Sequence, residues 1–226
     1  MNQIELKALA KINLGLDVLG RRENGYHDVR MVMQSIYLYD DVRIEKTQGE
    51  EIRVVSNLNF LPSGEGNIAY KAAKLLKDEF EISGGVRITL NKHIPVAAGL
   101  AGGSSDAAAV LYGMNRMFRL GLSRQELMDR GVKLGADVPY CIMRGTVLAE
   151  GIGEELSELP AMPKCTVLIA KPPVSVSTKT VYEALDSGKT EKHPDIDGII
   201  TGLKNHDLRQ IAGAMGNVLE DVTIPM

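Results

Sequence analysis

A run of small residues that leads directly into a helical pattern is the feature that most constrains this fold. From Pro95 to Ser105 the sequence reads PVAAGLAGGSS, and DAAAVLYGMNRMF follows without a polar linker. Gly99, Gly102 and Gly103 let backbone N–H groups converge, and the N-terminus of the next helix favours an anion. The loop therefore either binds a phosphate mainly through its main chain, or is a glycine-rich turn that lets a helix pack closely on a sheet.

Two better-known nucleotide motifs do not account for this loop. The ATPase P-loop needs G-x-x-x-x-G-K-[ST], and no lysine follows the glycines here. A second stretch, GEGNIA from Gly64 to Ala69, nearly matches a dinucleotide fingerprint, but Pro62 and Ser63 separate it from the preceding strand pattern. A turn that leads into a helix is the better interpretation of it, and a dehydrogenase hypothesis has no other support.

Composition limits the classes of partner. The chain has 226 residues, of which 44% are hydrophobic and 24% charged, so it can form its own core. A net charge of -3 argues against nucleic acid or an anionic membrane as the main partner. Cys141 and Cys165 form no C-x-x-C pair and predict buried thiols in a reducing compartment. Because no apolar run approaches the roughly 20 residues of a spanning helix, we expect a cytoplasmic protein.

Strand patterns predominate in the first part of the chain. From Lys7 to Val18 the residues alternate, with an apolar even-numbered face and a polar odd-numbered face that should be available to a ligand. Further strands are predicted in MVMQSIYLYDDVRIEK, EIRVVSN, GVRITLNKHIP, TVLAEG and CTVLIAK.

Helical patterns interrupt these strands irregularly, in NIAYKAAKLLKDEF, DAAAVLYGMNRMF, SRQELMDRGVKL and STKTVYEALD. Two pairs, Ser123 with Glu126 and Thr180 with Glu183, have capping-box spacing and predict helix starts. The order favours an α+β fold over a regular βαβ alternation. Two prolines near position 160 predict a domain junction, with domains of residues 1–158 and 159–226.

Two short stretches carry candidate chemistry. In GADVP, Gly135 is expected to end the preceding helix, and Pro139 should favour an extended Val138, so that Asp137 lies on a constrained bend. Such an aspartate either stabilises its turn or acts on a ligand.

In NGYH, the Asn24–Gly25 turn presents Tyr26 and His27 together. Lys11 and Asn13 share the polar face of the first strand. Asparagine is disfavoured in strands, so its presence hints at a specific hydrogen bond.

Taken together, three segments resemble a known family. KALAKINLGLDVLGRRENGYHDVRMVMQSI, PVAAGLAGGSSDAAAVL and GADVPYCIMRGTVLAEGIGE, in this order, are similar to the 4-diphosphocytidyl-2-C-methyl-D-erythritol kinases, a family of GHMP small-molecule kinases. The glycine-serine loop alone indicates only the superfamily, whereas AKINL and GYH are specific to this kinase. The resemblance runs from Lys7 to the end of the chain.

The resemblance implies both a fold and an activity. The fold would be the GHMP kinase fold, with an N-terminal ribosomal-protein-S5-domain-2-like domain and an incomplete C-terminal α/β domain. The activity would be ATP-dependent phosphorylation of the 2-hydroxyl of 4-diphosphocytidyl-2-C-methyl-D-erythritol, in the non-mevalonate route to isoprenoid precursors. ATP and Mg²⁺ would be required, and neither a nucleic acid nor a membrane would be a partner.

The resemblance also implies roles for residues. Lys11 and Asp137 match the catalytic pair, with Asp137 as general base. Asn13, Tyr26 and His27 match substrate positions, with His27 at the cytosine edge, while Thr178 and Tyr182 match the opposite wall, with Tyr182 stacked on cytosine. Asn67 and Lys92 match the approach to adenine, and Ser105 matches a Mg²⁺ ligand. The ATP-phosphate loop corresponds to Pro95, Val96, Ala97, Ala98, Gly99, Leu100, Ala101, Gly102, Gly103, Ser104 and Ser105.

One departure from the family pattern concerns the end of the chain. Family members continue past the position of Met226 with a helix and a third glycine-rich motif similar to SGSGPTVF. Either the chain is truncated or the missing piece is supplied elsewhere. In both cases we expect weak activity and an exposed sheet edge that allows self-association. Another GHMP kinase of the homoserine or mevalonate type, a non-catalytic nucleotide-binding fragment and a nucleic-acid module of related topology are the alternatives.

Overall fold

A computed structural model describes residues 1–172, 178–187 and 193–225, without the side chains at 178, 179 and 187. It divides into two compact units. Unit 1 comprises Met1–Ala10, Ile36–Val96 and Leu100–Met143, and unit 2 comprises Lys11–Ser35, Ala97–Gly99 and Arg144–Met226. These units are discontinuous in sequence, because the two longest strands contribute residues to both. The predicted junction after residue 158 does not coincide with either boundary and stays a prediction.

Strands and helices alternate irregularly along the described chain, as an α+β pattern predicts. The elements, in chain order, are β1 (Gln3–Arg21), β2 (His27–Thr47), β3 (Ile52–Ser56), α1 (Ile68–Glu79), β4 (Gly85–Asn91), α2 (Gly102–Phe118), α3 (Arg124–Gly131), α4 (Val138–Met143), β5 (Thr146–Glu150), β6 (Glu155–Glu158), α5 (Thr178–Ser187), α6 (Ile196–Lys204), α7 (Leu208–Ala214), β7 (Gly216–Asn217) and α8 (Glu220–Thr223).

Unit 1 is a sheet covered by α1 and α2, which pack on each other. In this sheet β3 runs parallel to β4, with Ile52 opposite Val86, and β4 runs antiparallel to β2, from Asp41 opposite Asn91 to Thr47 opposite Gly85. Alternate residues of β4 are buried because its inner face packs against the helices. The core is mostly small and aliphatic, and it includes Ala8, Ala10, Val42, Ile44, Ala69, Ala72, Ala73, Leu76, Ile88, Leu90, Ala107, Val110, Leu111 and Met114.

Unit 2 contains the strand order β6-β5-β2-β1-β7. β5 pairs antiparallel with β2, and the two-residue β7 pairs parallel with β1 at Gly15 and Gly216. Helix α6 packs closely on β1, because a Cβ at Gly15 would lie 2.6 Å from Ile199 Cδ1. The central cluster of this unit consists of Leu14, Val32, Ile196, Ile199, Leu203 and Ile211.

Most of the predicted elements form, but several details are wrong. CTVLIAK forms no strand in the described chain and pairs with no neighbouring strand, and Leu168 within it is 93% exposed. A strand pattern alone cannot satisfy backbone N–H and C=O groups without a partner strand. Cys141 is buried as predicted, but Cys165 lies in this exposed segment.

The two helix starts predicted from capping-box spacing have different outcomes. Ser123 caps α3, and the reciprocal hydrogen bonds with Glu126 are both present. Thr180 is not a cap, since α5 already begins at Thr178. In the part of the chain that is described, no helix combines the length and apolarity that crossing a bilayer requires.

Candidate active site

The predicted phosphate loop follows β4 and has an unusual backbone. Ala97 and Ala101 have φ values of 54° and 55°, and Gly99 has a φ of 70°. The left-handed conformation costs a residue with a Cβ about 1–2 kcal/mol, so two alanines in it mark a loop whose path the surrounding structure imposes. Strained backbone of this kind clusters at ligand-binding loops.

Helix α2 begins inside the predicted loop, at Gly102, and not at Asp106 as the pattern suggested. Its N-cap, Ala101, provides no side-chain hydrogen bond, and the first turn contains no acidic residue. The N–H groups of the first turn are therefore left to an external acceptor, and the helix dipole favours an anionic one.

The glycines of the loop serve both of the purposes considered from sequence. A Cβ at Gly102 would lie 3.1 Å from Ile94 Cγ2 and 3.4 Å from Lys92 Nζ, so this glycine permits close packing. Gly99 has no atom within 4 Å of an added Cβ, and its positive φ explains the glycine instead. Packing accounts for one glycine and backbone conformation for the other.

The two serines of the loop differ in their surroundings. Ser105 is buried, and its hydroxyl donates a 2.7 Å hydrogen bond to the carbonyl of Leu9. Ser104 is partly exposed in the first turn of α2. The Ser104 hydroxyl is therefore more open to a ligand than the Ser105 hydroxyl, which is buried and bonded to Leu9. The role of Ser105 as a metal ligand stays a prediction.

A buried charge cluster lies beneath the loop, in unit 1. The ammonium of Lys92 bridges the carboxylates of Asp40 and Asp106, and all three side chains are at most 4% exposed. Asp40 also accepts hydrogen bonds from the backbone N–H groups of His93 and Ile94, at 2.6 and 2.8 Å. The cluster thus joins the segment after β4 to the first turns of α2.

Asp106 is the incompletely satisfied member of this cluster. Its Oδ1 has no hydrogen-bond partner within the described structure. Burial raises the pKa of Asp106 to about 7, against the opposing effect of the Lys92 ammonium. With two carboxylates and one ammonium, a proton on Asp106 reduces the charge that must be buried. This carboxylate is buried against Lys92.

The two residues predicted near adenine have other partners. Asn67 caps α1: its side chain accepts from the Ala69 N–H at 2.9 Å and donates to the Pro62 carbonyl at 2.9 Å. The ammonium of Lys92 is held by the two carboxylates. Both side chains thus have partners within the protein, and their contacts with adenine stay a prediction.

Asp137 lies in a turn directly before α4, which confirms the bend. Its carbonyl accepts from the Cys141 N–H at 3.0 Å. Gly135 does not end α3, which stops at Gly131, and Val138 is helical rather than extended. Pro139 is tolerated because it lies in the first turn of α4, where a helix needs no N–H donor. The Asp137 side chain is partly exposed.

Lys11 and Asn13 are adjacent on one face of β1, as the alternation predicts. Lys11 Nζ donates to Asn13 Oδ1 at 3.2 Å. This face is less open than expected, since Lys11 and Asp17 are buried and Asp17 pairs with His193 Nδ1 at 2.7 Å. Lys11 belongs to unit 2 and Asp137 to unit 1. Their predicted action as a catalytic pair therefore stays a prediction.

Two predicted substrate-binding residues, His27 and Tyr182, are far apart in the sequence but lie next to each other in unit 2. Their ring centroids are 4.8 Å apart, with an angle of 32° between the planes. Tyr26 lies in the preceding turn and is 59% exposed. Thr178 is the first residue of α5, and its side chain lies outside the described structure.

Asp186 and Asp40 contact predicted site residues but were missed from sequence. Asp186 lies 2.7 Å from His27 Nε2, although 159 positions separate the two residues. No local motif could have paired them. For Asp40, a carboxylate within a strand pattern was the available signal, because buried strand charges need partners.

Comparison with known proteins agrees with the sequence motifs. A family model for the GHMP kinases N terminal domain matches residues 67–145. The chain is 62% identical, over all of its 226 residues and 78% of the relative, to a 4-diphosphocytidyl-2-C-methyl-D-erythritol kinase of Lachnospira eligens. It is 58% identical, over 99% of the chain and 77% of the relative, to the kinase of the same name from Lachnoclostridium phytofermentans.

The chain belongs to the 4-diphosphocytidyl-2-C-methyl-D-erythritol kinase family. It is therefore a kinase, with the GHMP kinase fold that the motifs implied.

Solved structures agree with this assignment. A crystal structure of 4-(cytidine 5'-diphospho)-2C-methyl-D-erythritol kinase aligns with a TM-score of 0.75 and 30% identity, over 98% of this chain and 78% of that chain. Homoserine kinase from Cytophaga hutchinsonii aligns with a TM-score of 0.67 over 96% of this chain and 72% of that chain. At 19% identity, the homoserine kinase shows only a shared fold.

Proposed function

We propose that this chain transfers the γ-phosphoryl group of ATP to the 2-hydroxyl of 4-diphosphocytidyl-2-C-methyl-D-erythritol, in the non-mevalonate route to isoprenoid precursors. The observation that carries the proposal is the 62% identity with a kinase of that name over the whole chain. The open N-terminus of α2 and its strained loop suit the phosphates of the nucleotide. A buried charge cluster beneath that loop suits a rigid phosphate site.

The phosphates of ATP would be bound mainly by main chain. Left-handed residues shape the loop between Pro95 and Ser104, and the uncapped first turn of α2 would offer its N–H groups to the phosphates. Mg²⁺, when bound, would neutralise phosphate charge, and the hydroxyl of Ser104 fits it as one of few protein ligands. Such a loop positions the transferred group, which is most of the catalysis in phosphoryl transfer.

Asp137 is the proposed general base. It would accept the proton of the attacking 2-hydroxyl as the oxygen bonds to the γ-phosphorus, and no covalent phosphoenzyme would form. Lys11, held by Asn13, would orient the attacking oxygen. His27 and Tyr182 would bind the cytosine, and Tyr26 is exposed in the adjacent turn.

Substitution of Asp137 tests this mechanism. The variant Asp137→Asn should lower kcat by about 10² to 10⁴ and change KM for the cytidine substrate only slightly, because a general base acts in the chemical step. The assay follows ATP-dependent phosphorylation of 4-diphosphocytidyl-2-C-methyl-D-erythritol by the native chain and the variant. Asp129→Asn is the matched control, since Asp129 lies on α3 and contacts only Gln125 among the hydrogen bonds described for its side chain.

The outcomes separate the alternatives. Near-native turnover by Asp137→Asn would contradict the role of general base. If the native chain phosphorylates homoserine or mevalonate instead, the acceptor is wrong and another GHMP activity is correct. If it binds ATP without turnover, the chain is a nucleotide-binding fragment, and the 78% coverage of its relative makes a version at the relative's full length the comparison to run.

Location and assembly follow from the same proposal. We place the reaction in the cytoplasm, where ATP is supplied. Self-association through a sheet edge would use β3, β6 or β7, since each of these strands lies at an end of the strand pairing. Sedimentation of the purified chain at several concentrations measures self-association. A mass that stays that of the monomer at every concentration would contradict self-association.

A further inference from the structure

Asp186 and His27 form the centre of a charged cluster on one side of unit 2. His27 Nε2 lies 2.7 Å from Asp186 Oδ1, and Arg21 Nη1 lies 3.3 Å from Asp186 Oδ2. The two oxygens of the carboxylate therefore have different partners. The side chain of His27 is only 10% exposed and that of Asp186 is 25% exposed, so this hydrogen bond is shielded more than one at the open surface.

The Asp186 carboxylate is ionised in this setting. The hydrogen bond from His27 lowers the pKa of Asp186 below its usual value, against a smaller effect of burial, and the Arg21 charge lowers it further. An ionised carboxylate can only accept hydrogen bonds. The hydrogen of this bond must therefore belong to the histidine, at Nε2.

The protonation of Nε2 determines what the other ring nitrogen presents. In a neutral imidazole one nitrogen is a donor and the other an acceptor, and a hydrogen bond at one nitrogen selects the state of the other. With Nε2–H donated to Asp186, Nδ1 carries a lone pair. Within the described residues Nδ1 has no hydrogen-bond partner, while the ring lies beside Tyr182. An acceptor is thus held next to an aromatic surface.

We propose that Asp186 is a positioning residue that holds His27 as the Nε2–H tautomer, so that Nδ1 accepts a hydrogen bond from the amino group of cytosine. This rests on the proposed function, in which His27 reads the base. A cytosine ring offers an exocyclic amino donor at its edge, whereas uracil offers a carbonyl oxygen at the same position. An acceptor at Nδ1 therefore favours a cytidine nucleotide over a uridine nucleotide, because the uracil oxygen would face a lone pair.

The tautomer is tested without any nucleotide. Ring ¹⁵N chemical shifts of His27 are measured by NMR in the native chain and in Asp186→Asn, with the assignment made from His27→Gln. The native ring should show a protonated Nε2 and an unprotonated Nδ1 at neutral pH. Asp186→Asn should shift the ring toward a mixture of the two tautomers. A native ring protonated at Nδ1, or a pattern unchanged in the variant, would overturn the proposal whatever the kinase assay gives.

The selectivity is tested with cytidine 5′-diphosphate and uridine 5′-diphosphate by titration calorimetry. The native chain should bind the cytidine diphosphate more tightly. The dissociation constant for uridine 5′-diphosphate divided by that for cytidine 5′-diphosphate should fall by about 3- to 10-fold in Asp186→Asn, which corresponds to the loss of one hydrogen bond. In turnover, KM should rise while kcat stays near native, because Asp186 touches no reacting atom. Asp197→Asn is the control, since it removes a carboxylate from an ion pair with Arg30 in the same unit without contacting His27. It should leave the ratio unchanged.

The results separate this inference from the proposed function. If the native chain turns over and prefers cytidine but Asp186→Asn keeps the same ratio, the positioning role is wrong and the kinase function stands. A native chain that binds neither diphosphate contradicts both the base-reading role of His27 and the selectivity argued from it. If Asp197→Asn loses as much of the preference for cytidine 5′-diphosphate as Asp186→Asn does, unit 2 is disturbed generally and the assignment to Asp186 is overturned.

Discussion

At the scale of single residues, the buried lysine with two carboxylates has the clearest physical consequence. The single positive charge of Lys92 can balance only one of the two buried carboxylates, Asp40 and Asp106. The second carboxylate, if ionised, would be a buried negative charge that is not balanced. Asp40 accepts two backbone N–H bonds, whereas Asp106 has an unpaired oxygen. Burial raises the pKa of Asp106 to about 7, so its carboxyl group holds a proton in mildly acidic solution.

The pH dependence of stability should reveal this proton. The pKa of Asp106 is raised to about 7 from 3.8, so between these values the unfolded chain releases a proton that the folded chain keeps. Its contribution to stability is complete below about pH 4 and is lost as pH rises through 7. From pH 5 to 8 the native chain should lose on the order of 2 kcal/mol relative to Asp106→Asn.

Urea unfolding of both proteins at pH 5 and pH 8 measures this difference. Asp78→Asn is the control, because Asp78 is an exposed partner of Lys74 and should give no such change with pH. A difference between the native chain and Asp106→Asn that stays constant with pH would show that Asp106 is already ionised at pH 5.

At the scale of elements, α2 shows how close packing selects a glycine. Gly113 lies in the middle of this helix, where an added Cβ would overlap Ile44 Cδ1 and lie 3.0 Å from Leu6 Cδ1. Gly213 in α7 has open space around an added Cβ. Both are glycines inside helices, where alanine is the better helix former, so packing alone distinguishes them.

Alanine substitutions at these two positions should have opposite effects. Gly113→Ala should destabilise the chain by about 1–3 kcal/mol, because the added methyl group overpacks the contact between α2 and β2. Gly213→Ala should stabilise it by about 0.5–1 kcal/mol through helix propensity. Thermal and urea unfolding measure both. Stabilisation by Gly113→Ala would mean that the Ile44 side chain moves aside without cost.

At the scale of the whole molecule, the two units do not follow the order of the sequence. The central cluster of unit 2 combines Leu14 of β1 and Val32 of β2 with Ile196, Ile199 and Leu203 of α6. The early strands thus supply part of the core in which the late helices are buried. A domain made only of residues 159–226 would leave that apolar surface exposed to water.

A fragment of residues 159–226 should therefore not fold alone. Circular dichroism should show little helix and no cooperative melting, whereas the full chain should melt cooperatively. As a control, a fragment of residues 11–226 keeps every segment of unit 2. A cooperative transition of the 159–226 fragment would instead support the predicted junction after residue 158.

Local pattern predicted much of the fold and of the candidate site. The alternation from Lys7 to Val18, the cap at Ser123 and the helix after Asn67 are all present, because each depends on neighbours within a few residues. The pattern failed at CTVLIAK and at Thr180. A strand needs a partner strand, and a helix start depends on what the preceding residues do.

The sequence by itself determined the family, and it predicted a phosphate loop and the residues to which chemistry can be assigned, since motif and spacing are properties of the chain. Only the tertiary structure decided which of those side chains have other partners. Lys92 is held between two carboxylates, Asn67 caps a helix, and Ser105 bonds to Leu9. The tertiary structure also places His27 in hydrogen-bond contact with Asp186, which is 159 positions away in the sequence. Such pairs arise from packing between distant segments, and burial then determines the charge that each group carries.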